Sequence, residues 1–197
     1  MLAEVHDPAL MERVVLAARR CFARYGVDRT TMVDIAKEAG IGRTGIYRLG
    51  VTRPQITHAA IVSRFRELGE QVRPLAAEDA PFPELLLRTS LATVEVARSD
   101  PELQHLLDTT ETVSLHRLIT GRDSVMQEIV LDVLGPMLDR ARERGEIRGD
   151  VSNDRAAEWL RGVYLMLILR EDLDTNAEKT MISDFVVPSL ISPVPSR

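Results

Sequence analysis

A chain of 197 residues with 45% hydrophobic side chains is long enough for one or two packed domains, and its composition excludes a disordered polar chain. A single cysteine excludes an internal disulfide framework, and the four histidines show no zinc-ligand spacing. The net charge of −5 divides unevenly: residues 1–66 hold 11 Arg/Lys against 6 Asp/Glu (+5), and residues 67–197 hold 14 against 24 (−10). Positive charge gathered in the first third favours a polyanion such as nucleic acid there, while the acidic remainder limits non-specific binding.

In chain order, Asp7-Pro8 predicts the start of a first helix, since proline is favoured in the first turn. Leu10, Val14, Ala17, Ala18, Cys21, Phe22 and Tyr25 recur at three- and four-residue steps and predict one buried stripe, closed by Gly26. On that stripe Cys21 reads as a small core residue, because a redox-active thiol needs exposure and a depressed pKa. Thr31 then reads as a helix N-cap, and Asp34 completes an [ST]-x-x-[DE] capping pattern. Ile35, Ala36 and Ala39 give this second helix an apolar side, and Gly40 supplies a positive-φ turn. Ile41 and Ile46 predict a further short helix pinned against it, with Arg43, Thr44, Tyr47 and Arg48 pointing outward. Helix, glycine turn and basic second helix make the helix-turn-helix pattern.

Thr52 or Arg53, before Pro54, marks the entry to a fourth helix, predicted to run to about Val72 and to stop at Arg73-Pro74. Residues 76–83, rich in Ala, Pro and acid, read as a linker. Helices are predicted over 84–98 and 101–107, while the Thr-rich 109–122 leaves open a loop or a helical turn. A long helix is predicted over 123–144 with a kink or break at Gly135-Pro136, ended by Gly145. A cap cluster at 149–154 begins a helix to about Leu169, and a last helix over 175–187 should end at Pro188, before a loose tail from Ser192. With no strand period, the fold class is all-α, about nine helices. From Val163 the run Val-Tyr-Leu-Met-Leu-Ile-Leu is apolar on every side, and Met181, Ile182, Phe185 and Val186 add a second apolar strip. These predict a homodimer through the last two helices of each copy. The same run is far short of the ~20 residues that span a bilayer, and Glu4 and Asp7 leave no apolar signal core, so the expectation is a cytoplasmic protein with no membrane role.

The helix Val14–Gly26, with Thr31, Ile35-Ala36, Ala39-Gly40-Ile41 and Ile46-Tyr47 at these spacings, resembles the N-terminal domain of TetR-type (tetracycline-repressor-like) transcriptional regulators over roughly residues 10–56. The resemblance implies a DNA-binding domain at 1–53 and an effector-binding and dimerisation domain at 54–197. It implies a repressor, the family's common mode, released from a palindromic double-stranded DNA operator when a small molecule binds the C-terminal domain. It puts residues 43–49 in the major groove, with Arg43, Thr44 and Arg48 at bases or phosphates, Gly45 among them, and Thr31, Tyr47 and Arg53 at phosphates. The chain departs from the family pattern at Gly42, where Ser often caps the recognition helix, at Gly45 inside that helix, at Gly50 in place of an aromatic, and at Pro54 in an acidic position. Three glycines in nine residues predict a recognition helix that firms up only on DNA.

For the effector, the candidate polar anchors are His116, Gln127, Trp159 and Tyr164, and a Leu/Val/Met-rich, aromatic-poor composition favours an aliphatic or amphipathic molecule. No cofactor and no metal is expected. Glu102-Leu103-Gln104-His105 is a Glu-x-x-His step of the kind used in carboxylate-bundle metalloenzymes, but such sites need a second copy that the sequence lacks. No nucleophile set and no G-x-x-x-x-G-K-[ST] phosphate loop is present, so the chain does not read as an enzyme. A regulator of the same fold controlled by a protein partner, or with no ligand, stays open.

Overall fold

The computed structural model describes residues 7–108, 124–170 and 172–191, and these form helices joined by short turns. In order they are α1 (Pro8–Tyr25), α2 (Met32–Glu38), α3 (Arg43–Arg48), α4 (Arg53–Ala76), α5 (Phe82–Ser99), α6 (Pro101–Asp108), α7 (Ser124–Glu143), α8 (Asn153–Ile168) and α9 (Thr175–Met181). A π-helical segment (Ile182–Val186) and α10 (Val187–Leu190) continue α9. Among the described residues there is no strand, only one antiparallel bridge between Ile147 and Ile191. The ambiguous stretch 109–122 and the tail from Ser192 lie outside the described residues, as does His116. No described helix is long and apolar enough to cross a membrane.

The chain divides into two compact units. One holds α1–α3, α4 as far as Arg64, and α6; the other holds α4 from Phe65, α5, and everything from α7 onward. Arg53, where the sequence reading ended its first domain, is the first residue of α4.

The first unit forms where local signals and burial agree. The Asp7 carboxylate accepts from the Leu10 N–H at 3.0 Å, and Gly26 (φ 82°) ends α1. Val14, Ala17, Ala18, Cys21 and Phe22 meet Ile35, Ala36 and Ile46, all at most 2% exposed. Burying each large apolar side chain contributes roughly 1.5–3 kcal/mol. Burial pushes the Cys21 thiol up, as a core position requires. The stripe differs from expectation at two places. Tyr25 is 45% exposed, because burial stops one turn before α1 does, and Arg19 is buried on the packed side. Its Nε and Nη2 donate to the two carboxylate oxygens of Glu102 on α6 at 2.6 and 2.9 Å, and its Nη1 donates to Ser63 at 3.2 Å.

In the second unit no helix stops or breaks at its proline. α4 runs past Pro74 to Ala76: the proline sits in the last turn, where one lost N–H bond matters little, and Arg73 donates to the Asp132 carbonyl of α7. α7 is unbroken through Gly135-Pro136, since Val133, Leu134, Met137 and Leu138 on either side are buried and hold the helix together. The last helix does not stop at Pro188 but continues to Leu190. The Val187 N–H reaches back five residues to Ile182, and that widened turn relieves the clash between the proline ring and the carbonyl four residues behind it. Elsewhere local signals hold: Gly145 (φ 69°) ends α7, and Ser152 and Asp174 cap α8 and α9. Arg98 of α5 pairs with buried Glu178 of α9 and donates to the Leu167 carbonyl of α8 at 2.6 Å, joining three helices.

Candidate functional site

The α2–α3 pair is built by its caps. The Thr31 hydroxyl accepts from the Asp34 N–H at 3.2 Å, while Asp34 accepts from the Thr31 N–H at 3.0 Å and from its hydroxyl at 2.6 Å. The Thr31 hydroxyl, then the Thr31 backbone N–H, hold the Asp34 carboxyl below the usual range. Gly40 (φ 67°) turns the chain, and α3 begins after Gly42 with no side-chain cap. Ile46, fully buried, anchors α3.

The opposite face of α3 is open: Arg43, Thr44, Tyr47 and Arg48 are all exposed. The Arg43 guanidinium lies 5.8 Å from the centroid of the Tyr47 ring, a cation–π contact that keeps both side chains along that face. Among the described residues neither Arg43 nor Arg48 has an ion-pair partner, in contrast to Arg20, whose guanidinium is 2.7 Å from Glu38 and holds that carboxyl low. Cationic charge is thus left facing solvent on α3. A Cβ at Gly45 would meet Ile41 Cβ at 3.6 Å, ordinary contact, so packing within the chain does not demand glycine there.

Thr31 and Arg53 flank this face with their polar groups already engaged. Arg53 Nη1 donates to the Asp28 and Val27 carbonyls at 2.9 and 3.3 Å, tying the start of α4 to the turn after α1. Sequence reasoning overlooked one contributor. Gln55 Oε1 accepts from the Thr52 N–H and hydroxyl at 2.8 and 2.9 Å, a second reciprocal cap. Thr52-x-x-Gln55 carries the same spacing as Thr31-x-x-Asp34, so the signal was available. The Glu102-x-x-His105 step has a structural occupant: Glu102 is gripped by Arg19 and lies 3.5 Å from Arg64.

The second unit contains a cavity between α4, α5, α7 and α8, with about 70 Å³ of internal space. Its walls are apolar, among them Leu68, Val72, Val96, Ile129, Val133 and Ile168, interrupted by Thr93, Arg161 and Tyr164. The Tyr164 hydroxyl is 2.8 Å from that of Ser90, and burial pushes its pKa well above the tyrosine range, so it stays neutral. Of the anchor candidates among the described residues, Tyr164 alone lines this cavity. Gln127 donates to the Asp154 carbonyl at 2.7 Å, and Trp159 is half-exposed, its indole N–H donating to Ser189 at 3.0 Å. Trp159, Met166 and Leu169 of α8 and its C-cap, with Phe185 (69% exposed), leave apolar surface uncovered within one chain.

Residues 14–49, the span from the middle of α1 through α3, match the family profile described as bacterial regulatory proteins, tetR family. The HTH-type transcriptional repressor BepR of Brucella suis is 31% identical over 156 residues, covering 76% of this chain and 74% of the relative. The crystal structure of AlkX, a TetR family repressor from Dietzia, shares the fold at a TM-score of 0.67 and 17% identity, over 95% of this chain and 97% of that one. The complex of SmeT, a Stenotrophomonas maltophilia repressor, with triclosan superposes at a TM-score of 0.55 and 21% identity, over 96% of this chain and 99% of that one.

Proposed function

The chain belongs to the tetR family of bacterial regulatory proteins and is a DNA-binding transcriptional regulator, and we propose that it acts as a homodimeric repressor released from its operator by a small molecule. The observation that carries this reading is the open face of α3, where two arginines lacking an ion-pair partner among the described residues stand beside Thr44 and Tyr47 on a helix anchored by buried Ile46. A guanidinium there can bond a guanine edge bidentately, and Thr44 and Tyr47 add hydroxyl donors for bases or phosphates. Thr31, Arg53 and the α3 backbone at Gly45 would set register against phosphates. Residues 1–53 would carry DNA binding, and residues 54–197 effector binding and dimerisation.

Pairing through Trp159, Met166, Leu169 and Phe185 would cover the apolar surface that α8 and the π-helical segment expose, and a two-fold pair calls for a palindromic operator with half-sites roughly one helical turn (~34 Å) or more apart. The cavity supports small-molecule control, since the later turns of α4 line it while its first residues belong to the DNA-binding unit. A molecule that enlarged the cavity would push on α4, coupling occupancy to operator release in both directions. The triclosan complex of SmeT is a precedent for a ligand on this fold. A regulator that works in this way acts in the cytoplasm.

Gel shifts against the DNA flanking the protein's own gene, at two salt concentrations, test the proposal. Tight, sequence-selective, salt-weakened binding by two chains per duplex is the expected result. Binding indifferent to sequence, or by one chain, would overturn it.

A further inference from the structure

Among the described residues three polar side chains stand on the wall of the cavity, Thr93 of α5 and Arg161 and Tyr164 of α8. The Thr93 hydroxyl donates to the Thr89 carbonyl at 2.7 Å, and Arg161 has an interaction of its own. Tyr164 is placed differently. Its hydroxyl is 2.8 Å from that of Ser90, and among the described residues neither oxygen has another partner. Two hydroxyls carry two protons, and the bond between them uses one. The other proton is left without an acceptor although both side chains are buried, Tyr164 at 4% exposure and Ser90 at 0%. An unmet buried donor costs about 1–3 kcal/mol. Ionisation gives no relief, because burial pushes the Tyr164 pKa well above the tyrosine range. Of the pair only Tyr164 borders the cavity. When Ser90 donates, the Tyr164 O–H is the spare donor, and an acceptor inside the cavity satisfies it.

Resting on the reading of this cavity as the effector site, we infer that the effector is a compact, uncharged molecule with an apolar body and one carbonyl-type acceptor. The acceptor takes the Tyr164 O–H, and the body lies among Leu68, Val72, Ile129 and Val133. A neutral hydroxyl does not repay the desolvation of a charged head, whereas a ketone oxygen gives up far less hydration and gains the bond. The present space of about 70 Å³ is roughly half the ~150 Å³ that holds a benzene ring, so a short body is all that enters without moving a helix. At Gly69 a Cβ would meet Val133 Cγ2 at 3.0 Å, so α4 and α7 are already in close contact there, and a longer body must part them. Body length therefore sets how far α4 is displaced.

The test uses the full chain and three matched series: methyl ketones, the 2-methyl-1-alkenes that replace C=O by C=CH2, and straight-chain carboxylates. Binding is read by titration calorimetry and by release of bound DNA. Tyr164→Phe should weaken the ketones about three- to tenfold, the net worth of a neutral hydrogen bond, and leave the alkenes unchanged. Ser90→Ala should leave ketone binding intact, since the Tyr164 donor remains. Carboxylates should bind more weakly than ketones of equal length. Ketones and alkenes losing equally in Tyr164→Phe would make the hydroxyl a structural group and overturn the inference. Loss of ketone binding in Ser90→Ala, or carboxylates binding more tightly than ketones, would also overturn it. In each case the cavity reading survives if a bound member of any series releases DNA. Should Tyr164→Phe fail to fold, the order of ketones and carboxylates on the wild-type chain decides alone. Failure of all three series to bind overturns both.

Discussion

Replacing Glu102 by alanine tests whether α6 and α1 are held together by a buried ion pair. Arg19 is 9% exposed and its guanidinium bonds both oxygens of Glu102, at 2.6 and 2.9 Å. Removing one partner of a fully buried pair costs about 3–5 kcal/mol, chiefly because the other charge is left behind. Glu102 is 31% exposed and Ser63 stays bonded to Arg19, so water and the hydroxyl recover part, and we set the loss for Glu102→Ala at about 2 kcal/mol. For a chain of this length that is a fall in Tm of about 4–8 °C. Arg19→Met should cost less, about 1 kcal/mol, since methionine refills the site and Glu102 keeps Arg64 nearby at 3.5 Å. Urea unfolding of both single variants and the double variant gives the coupling. A double variant whose loss equals the sum of the single losses within about 0.5 kcal/mol would refute the reasoning, because the two side chains would then act independently.

Gly45→Ala should stabilise α3 by about 1 kcal/mol and slow amide exchange at Ile46, since the new methyl meets Ile41 at ordinary contact distance; faster exchange would contradict this. The capping box is pH-sensitive. The folded pKa of Asp34 is depressed by Thr31, so its contribution is complete above the ordinary carboxylate range and is lost as pH falls through the folded value, below about pH 4. Asp34→Asn should therefore lower the urea midpoint at pH 6 more than at pH 3, and an equal loss at both would count against the cap. Met166→Asp and Phe185→Ser should each shift the protein toward monomer in sedimentation experiments without lowering its helix content; unchanged dimers would move the interface elsewhere.

The head was legible in the sequence because its determinants are local. Asp7, Gly26, Thr31 and Gly40 act on backbone groups within a few residues, and each does so in the structure. The Thr52–Gln55 cap is equally local and carries the same three-residue spacing. The stops expected at Pro74 and Pro188 and the break expected at Pro136 are absent for a physical reason: a local rule counts the lost N–H bond but not the packing around α7 or the π-helical turn that absorbs the ring. Arg19 was illegible, since its partner is 83 residues away in sequence. The anchors were chosen by residue type. The structure sorts α8 by helical face, with Arg161, Tyr164 and Ile168 toward the cavity and Trp159 and Met166 toward solvent.

The central claim is that the exposed face of α3 reads duplex DNA. Selection of bound duplexes from a randomised library, repeated with Arg43→Ala and Arg48→Ala, addresses it most directly. The wild-type chain should enrich one palindromic sequence. A base-reading arginine should cost about 1–3 kcal/mol on its replacement and relax preference at its own position in each half-site, while a phosphate-binding one should weaken all sequences alike. Enrichment of no sequence, or of the same sequence at undiminished affinity by both variants, would contradict it.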